Sequence, residues 1–207
     1  MPGNLINSSG KPYLRIVGGN LVQKVDKDTP NARHREYELP NGTKGEKWEL
    51  AFMNWNAKIL GITFKETEYG EDCVIDLEDA ILTLPVASRY FSDFACKIFS
   101  GDIKKSFLFH PYDIEGDNGR KTGISLQQDG EKLKNFFYDG EKNLHGFPEP
   151  DEEKKVKKSY WKIYFTEVAE FLIDKLKELE FTKPEIEEDE TPENTVDEDI
   201  KIDDLPF

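Results

Sequence analysis

Gly45-Glu46-Lys47-Trp48-Glu49-Leu50, followed by Ile59-Leu60-Gly61-Ile62-Thr63-Phe64-Lys65 and Tyr69-Gly70, is the stretch from which the fold is read. In the middle segment Leu60, Ile62 and Phe64 fall on one side and Ile59, Gly61 and Thr63 on the other, the period of two that belongs to a strand. The turn at Tyr69-Gly70-Glu71-Asp72 then returns the chain through 73–77 as an antiparallel partner. Upstream, 35–39 and 47–53 flank Pro40-Asn41-Gly42-Thr43-Lys44-Gly45, a hairpin signal with a basic loop. Residues 12–25 carry apolar positions around Gly18-Gly19 and read as one strand bent or bulged at the glycines.

The pattern changes after Pro85. Val86, Tyr90, Phe94 and Ile98 keep helical spacing, and Gly101 suits a stop. Strand character resumes over 106–114 and 121–127 around Gly116-Asp117-Asn118-Gly119, and again over 132–138 after Asp129-Gly130. Short strands at this spacing, interrupted by one helix, predict a mainly β chain folded as a small antiparallel barrel or sandwich. Residues 139–158, with Gly140, Gly146, Pro148 and Pro150, read as a loop or linker. Trp161, Phe165, Val168, Leu172, Leu176 and Leu179 recur every three or four residues and predict a long helix over 159–182. Its apolar stripe needs a cover, either the β domain or a second copy, which leaves a homo-oligomer open.

Net charge is −14, but it is unevenly placed. Residues 183–207 carry −9 and the remainder only −5, while residues 11–58 hold nine Lys or Arg against six acids. An acidic tail of this composition, with few apolar residues, is expected to be disordered, and residues 1–10 to be a flexible arm. Acidity confined to a tail does not exclude a nucleic-acid-binding body. Cys73 and Cys96 sit among apolar residues and predict buried free thiols rather than a disulfide framework. His34, His110 and His145 are far apart, so no metal and no cofactor are expected. No apolar run is long enough to span a membrane, and no membrane partner is expected.

The strand run that opens this section resembles the core of phage-encoded single-stranded DNA-binding proteins of OB-fold type, over residues 11–138. A second likeness lies at Asp203-Asp204-Leu205-Pro206-Phe207, which resembles the acidic tip of bacterial single-stranded DNA-binding proteins with Leu205 in place of the usual Ile. These resemblances imply an OB-type barrel that coats single-stranded DNA without sequence preference in replication, recombination or repair. They also imply a tip that recruits replication or recombination proteins, Phe207 filling an apolar pocket while the acids meet a basic rim. The compartment implied is the cytoplasm, that of the host cell if the chain is phage-encoded.

Single strands are held by cations that follow phosphates and by aromatic faces on which bases stack. Arg33, Arg35, Lys44 and Lys47 accompany Tyr37, Trp48, Phe52 and Trp55, with Arg15, Lys24, Lys104 and Lys105 as further phosphate contacts. Alternation puts Trp48, Leu50 and Phe52 on one face and Lys47, Ala51, Met53 and Trp55 on the other. The Trp48 face is expected to point to the core, leaving Tyr37 and Trp55 to stack. Lys154-Lys155-Val156-Lys157-Lys158 offers another basic run. Nucleotide-binding, hydrolase and zinc-protease motifs are missing, so no enzyme is expected. Two alternatives remain: a protein-interaction factor that never touches DNA, and a Mg²⁺-dependent nuclease built on Asp72, Asp76, Glu78 and Asp79.

Overall fold

The computed structural model describes residues 10–38, 42–116 and 119–181. Ten strands and two helices occur among them. In chain order they are β1 (Tyr13–Val17), β2 (Asn20–Val25), β3 (Arg33–Glu38), β4 (Lys44–Phe52), β5 (Trp55–Thr67), β6 (Gly70–Leu77), β7 (Ile81–Pro85), α1 (Arg89–Ile98), β8 (Ser106–Gly116), β9 (Gly119–Gln128), β10 (Glu131–Lys132) and α2 (Lys158–Lys177). They pair in the order β10-β9-β8-β5-β6-β7-β1-β2-β4-β3. Every pairing is antiparallel except β1 with β7.

The thirteen-residue β5 serves both halves of this sheet. Its first residues, Trp55 to Lys58, pair with β8, whereas Ile59 onward pairs with β6, and the register shifts between Ile59 and Gly61. An extra residue in one strand bends it and sharpens its twist, so the sheet turns a corner here. Inside the bend alternate residues are buried: Cys73, Ile75 and Leu77 of β6, Leu82 and Leu84 of β7, Phe107 and Phe109 of β8, Ile124 and Leu126 of β9. Helix α1 starts where the Ser88 side chain accepts from the Phe91 N–H at 3.2 Å, and it turns Phe91, Phe94, Ala95 and Ile98 inward. Helix α2 lies against α1 and β5 of the same chain. Among the described residues, no helix is long and apolar enough to cross a membrane.

Several expectations change. The ladder does not close into a barrel, because β10 and β3 stand at opposite ends of the pairing order. Residues 12–25 form a hairpin, not one bent strand: Gly18 and Gly19 both have positive φ, 54° and 74°, and reverse the chain between β1 and β2. That turn meets β8, where a Cβ on Gly19 would lie 2.6 Å from the Asp113 nitrogen. Gly19→Ala is therefore expected to cost about 2 kcal/mol or more, since strain at positive φ adds to the overlap. Gly18→Asn, with open space around the site, is expected to be nearly neutral; urea unfolding of the two variants checks the contrast.

The strand expected over 132–138 shrinks to the two residues of β10, after which Phe137 turns into the core. Between β10 and α2, Phe147 packs between Phe137 and Phe171 at 5.6 Å from each. In α2 the buried stripe is Tyr164, Val168, Leu172, Ile173 and Leu176, and Phe165 is exposed. Both cysteines are buried and unpaired. Burial pushes the two thiols up, Cys96 to about 12. The arm at residues 1–9 and the tail from 182 onward, with the tip Asp203, Asp204, Leu205, Pro206 and Phe207, lie outside the described residues.

Candidate nucleic-acid interface

Strands β1 and β2 turn one face to the core, whereas β4 and β3 leave both faces largely uncovered, Glu49 being their one buried residue. Leu14 and Leu21 are fully buried in the core, so Arg15 and Val22, which face each other across the ladder, lie on the opposite side of β1 and β2, where Val22 is itself buried. Register carries this side across the sheet: Lys24 opposes Glu49, Glu49 opposes Arg33, Lys47 opposes Arg35 and Gly45 opposes Tyr37. The outward face thus gathers Arg15, Lys24, Arg33, Arg35 and Lys47 with Tyr37, and Glu49 is the one acid that these four strands place there.

The other side of the β3–β4 ribbon is acidic. It carries Glu36, Glu38 and Glu46, with Lys44 beside Glu38 at 3.9 Å and His34 beside Glu46 at 3.0 Å. Alternating side chains on a pleated ribbon have sorted charge by face. The signal is written in Arg33-His34-Arg35-Glu36-Tyr37-Glu38, where cations and the aromatic take odd positions and acids even ones.

Local contacts fix the basic face. Arg35 grips Glu49 with a fork, Nε donating to one carboxylate oxygen at 2.9 Å and Nη2 to the other at 2.7 Å. Glu49 is only 8 % exposed. The hydrogen-bonded guanidinium holds its carboxyl below the ordinary range, outweighing desolvation. Lys47 is shifted down, first by desolvation and then by repulsion from Arg35, Arg15 and Lys24, which is the electrostatic mark of a crowded cationic patch. Its ammonium rests 4.6 Å from the centre of the Tyr37 ring. That ring lies across Gly45, where a Cβ would come within 2.5 Å of it, so glycine is what allows the tyrosine to lie down on β4.

The Glu49 carboxyl is held low, so its stabilising contribution is present above the unfolded-state value and is lost as pH falls through the folded-state value. Glu49→Gln is expected to cost about 1 kcal/mol at neutral pH, after screening at the exposed Arg35 side. The difference from the parent should begin to shrink as pH falls through the ordinary glutamate range of about 4.3 and be gone only below the lowered folded-state value. Denaturant midpoints measured from pH 7 to pH 3 read this directly.

The remaining predicted residues lie elsewhere. Trp48 and Phe52 occupy the opposite face of β4, Trp48 half-buried, 4.8 Å from His34 and with the Lys27 ammonium 6.0 Å away. Trp55 does not continue the Lys47 face, because Met53 and Asn54 interrupt the strand and β5 begins anew. It packs edge-on to Phe52 at 5.0 Å and donates its indole N–H to Asp79 at 2.9 Å. Lys104 and Lys105 precede β8, away from the basic face, and Lys105 pairs with Asp129 at 2.7 Å. Of the carboxylates considered for a metal, Asp76 binds Lys11 at 2.7 Å and Asp79 holds Trp55. No group of three His, Cys, Asp or Glu among the described residues is placed to hold an ion.

Two residues of this face escaped the sequence reading. Tyr13, 42 % exposed, shares the outward side of β1 with Arg15; it became legible only once the glycine turn separated β1 from β2. Glu49 was an unremarked acid until register put it beneath Arg35. No protein-family model, curated protein or solved structure matches the chain.

Proposed function

We propose that the chain binds single-stranded DNA through the outward face of β1 to β4, without sequence preference and without catalysing a reaction. The observation that carries this reading is the gathering of charge by register: Arg33, Arg35, Lys47 and Tyr37 of the β3–β4 ribbon share a face with Arg15, Lys24 and Tyr13 of β1 and β2, with Glu49 as its one acid, while Glu36, Glu38 and Glu46 take the other face. Spaced cations can follow a flexible phosphate chain, and tyrosine faces accept any base. The bent run from β5 to β9, with α1 inserted before β8, is read as a partly open OB-type unit that carries the basic hairpins as an addition.

The tip Asp203-Asp204-Leu205-Pro206-Phe207 is proposed to recruit replication, recombination or repair proteins, in the cytoplasm of the cell, or of the host if the chain is phage-encoded. Removing it should leave DNA affinity equal or higher while abolishing partner capture. A collapse of DNA affinity in that variant contradicts the assignment of the tip.

Tryptophan emission is a poor reporter here, since Trp48 and Trp55 sit away from the basic face. Anisotropy of an end-labelled oligothymidine suits better, with unlabelled duplex as competitor. Saturable binding that duplex displaces weakly supports the proposal. Equal competition by duplex, or no binding at low salt, overturns it.

A further inference from the structure

On the proposed interface, register places Tyr13 and Tyr37 at opposite corners of a patch that holds Lys24, Arg33, Arg35 and Lys47. Leu14 pairs with Gln23, so Tyr13 lies in the row of Lys24, Glu49 and Arg33. Tyr37 lies on β3, four residues beyond Arg33. Three strand spacings of about 4.8 Å and four residues of about 3.3 Å put the tyrosines roughly 20 Å apart along a diagonal of the sheet. Lys24, Arg33, Arg35 and Lys47 lie along or beside that diagonal, and Arg15 lies beyond Tyr13 on the side away from Tyr37.

Charge defines where the track ends. Beyond Tyr13 the same row continues to Ile81 and then Asp76, and Asp72 lies on the same side of β6. A chain that continued along that row past Tyr13 would leave the cations of β1 to β4 for Ile81 and for Asp76, already paired with Lys11 at 2.7 Å, so the cationic row ends at Tyr13. At the other end β3 is the last strand of the sheet. Arg35 is held in place by Glu49 through Nε and Nη2, so a phosphate that took a bond from Nη1 would find the side chain already ordered.

Resting on the single-strand reading above, we infer that Tyr13 and Tyr37 are two base-stacking platforms that bracket one short unit of single strand, about four nucleotides, whose phosphates run over Lys24, Arg33, Arg35 and Lys47. Lys47, which covers Tyr37 in the free protein, moves to a phosphate when a base takes its place. Duplex is rejected because its bases are stacked inward and cannot reach either ring. Glu49 acts as a positioning residue for Arg35.

Stacking and ion pairing leave different signatures, which separates this inference from the binding reading itself. Oligothymidine of eight nucleotides is titrated by anisotropy across a salt series with the full chain, its Tyr13→Ala and Tyr37→Ala variants, the matching Tyr→Phe variants and Lys24→Gln. Each Tyr→Ala change should weaken binding roughly 5- to 150-fold, the loss of one stacked base. The slope of log affinity against log salt should stay unchanged, and Phe should restore affinity. Lys24→Gln should instead reduce the slope by about 0.7. Both tyrosines point outward, and thermal midpoints within a few degrees of the parent confirm that the variants fold. Tight binding by the parent that survives loss of either tyrosine overturns the two-platform inference and leaves the binding reading standing. No binding by the parent removes both.

Discussion

Replacing Lys24, Arg33 and Lys47 together by glutamine is expected to lower affinity for a single-stranded oligonucleotide about 500-fold at 50 mM monovalent salt and only about 30-fold at 200 mM. Each cation that neutralises a phosphate on a single strand contributes roughly 0.7 to the salt exponent, so three removed contacts change the exponent by about 2. The loss itself must therefore shrink as salt rises. These three residues suit the test because none forms an ion pair within 4.0 Å among the described residues, and Glu49, which Lys24 and Arg33 oppose in the ladder, keeps its fork from Arg35 when they are removed. Stability should stay within about 0.5 kcal/mol of the parent, as for exposed substitutions. Arg35 is left in place, since without it the nearly buried Glu49 would lose its counter-charge. Anisotropy titrations at the two salt concentrations measure the effect, and an equal loss at both would mean that the three residues do not meet phosphates.

Phe109→Ala is expected to destabilise the fold by about 3–5 kcal/mol, a large part of the 5–15 kcal/mol typical of a domain. Phe109 is fully buried at the corner where the two halves of the sheet meet. It opposes Trp55 on one side and Leu126 on the other, and its ring stacks on Phe94 of α1 at 6.2 Å. Deleting it opens a cavity touching β5, β9 and α1 together. Urea unfolding should show a lower midpoint with an unchanged slope. A loss below about 1 kcal/mol would mean that the corner can collapse around the missing ring.

Local signals carried much of the architecture. The β5–β6 and β8–β9 hairpins, the Ser88-capped helix and the long C-terminal helix all follow from period and turn chemistry within one segment. The parallel pairing of β1 with β7 did not, because it joins residues some seventy positions apart and the short apolar run at Ile81 to Leu84 was hidden by the helix signal that follows Pro85. Gly18-Gly19 is ambiguous in sequence: two glycines permit a bulge or a reversal, and only pairing with β4 and β7 selects the reversal. That ambiguity concealed Tyr13.

The interface was legible in part for the same reason. Arg33, Arg35, Lys47 and Tyr37 share odd positions on adjacent strands, so one correct register brings them together. Trp55 was lost to that set because its place depended on counting through Met53-Asn54, where the strand breaks, and a slip of one residue reverses every face beyond it. Lys104 and Lys105 were grouped with the site by charge alone, and charge carries no information about which end of a sheet a loop occupies.

The most direct test is to map backbone amide shifts of the full chain as an unstructured oligothymidine is added at low salt. Perturbations should concentrate on β1 to β4, at Tyr13, Arg15, Lys24, Arg33, Tyr37 and Lys47, and leave α2 and the β8–β9 hairpin unmoved. Shifts centred on the Trp48 face or on Lys104 and Lys105, or no shifts at all, would contradict the assignment of the basic face to single-strand binding.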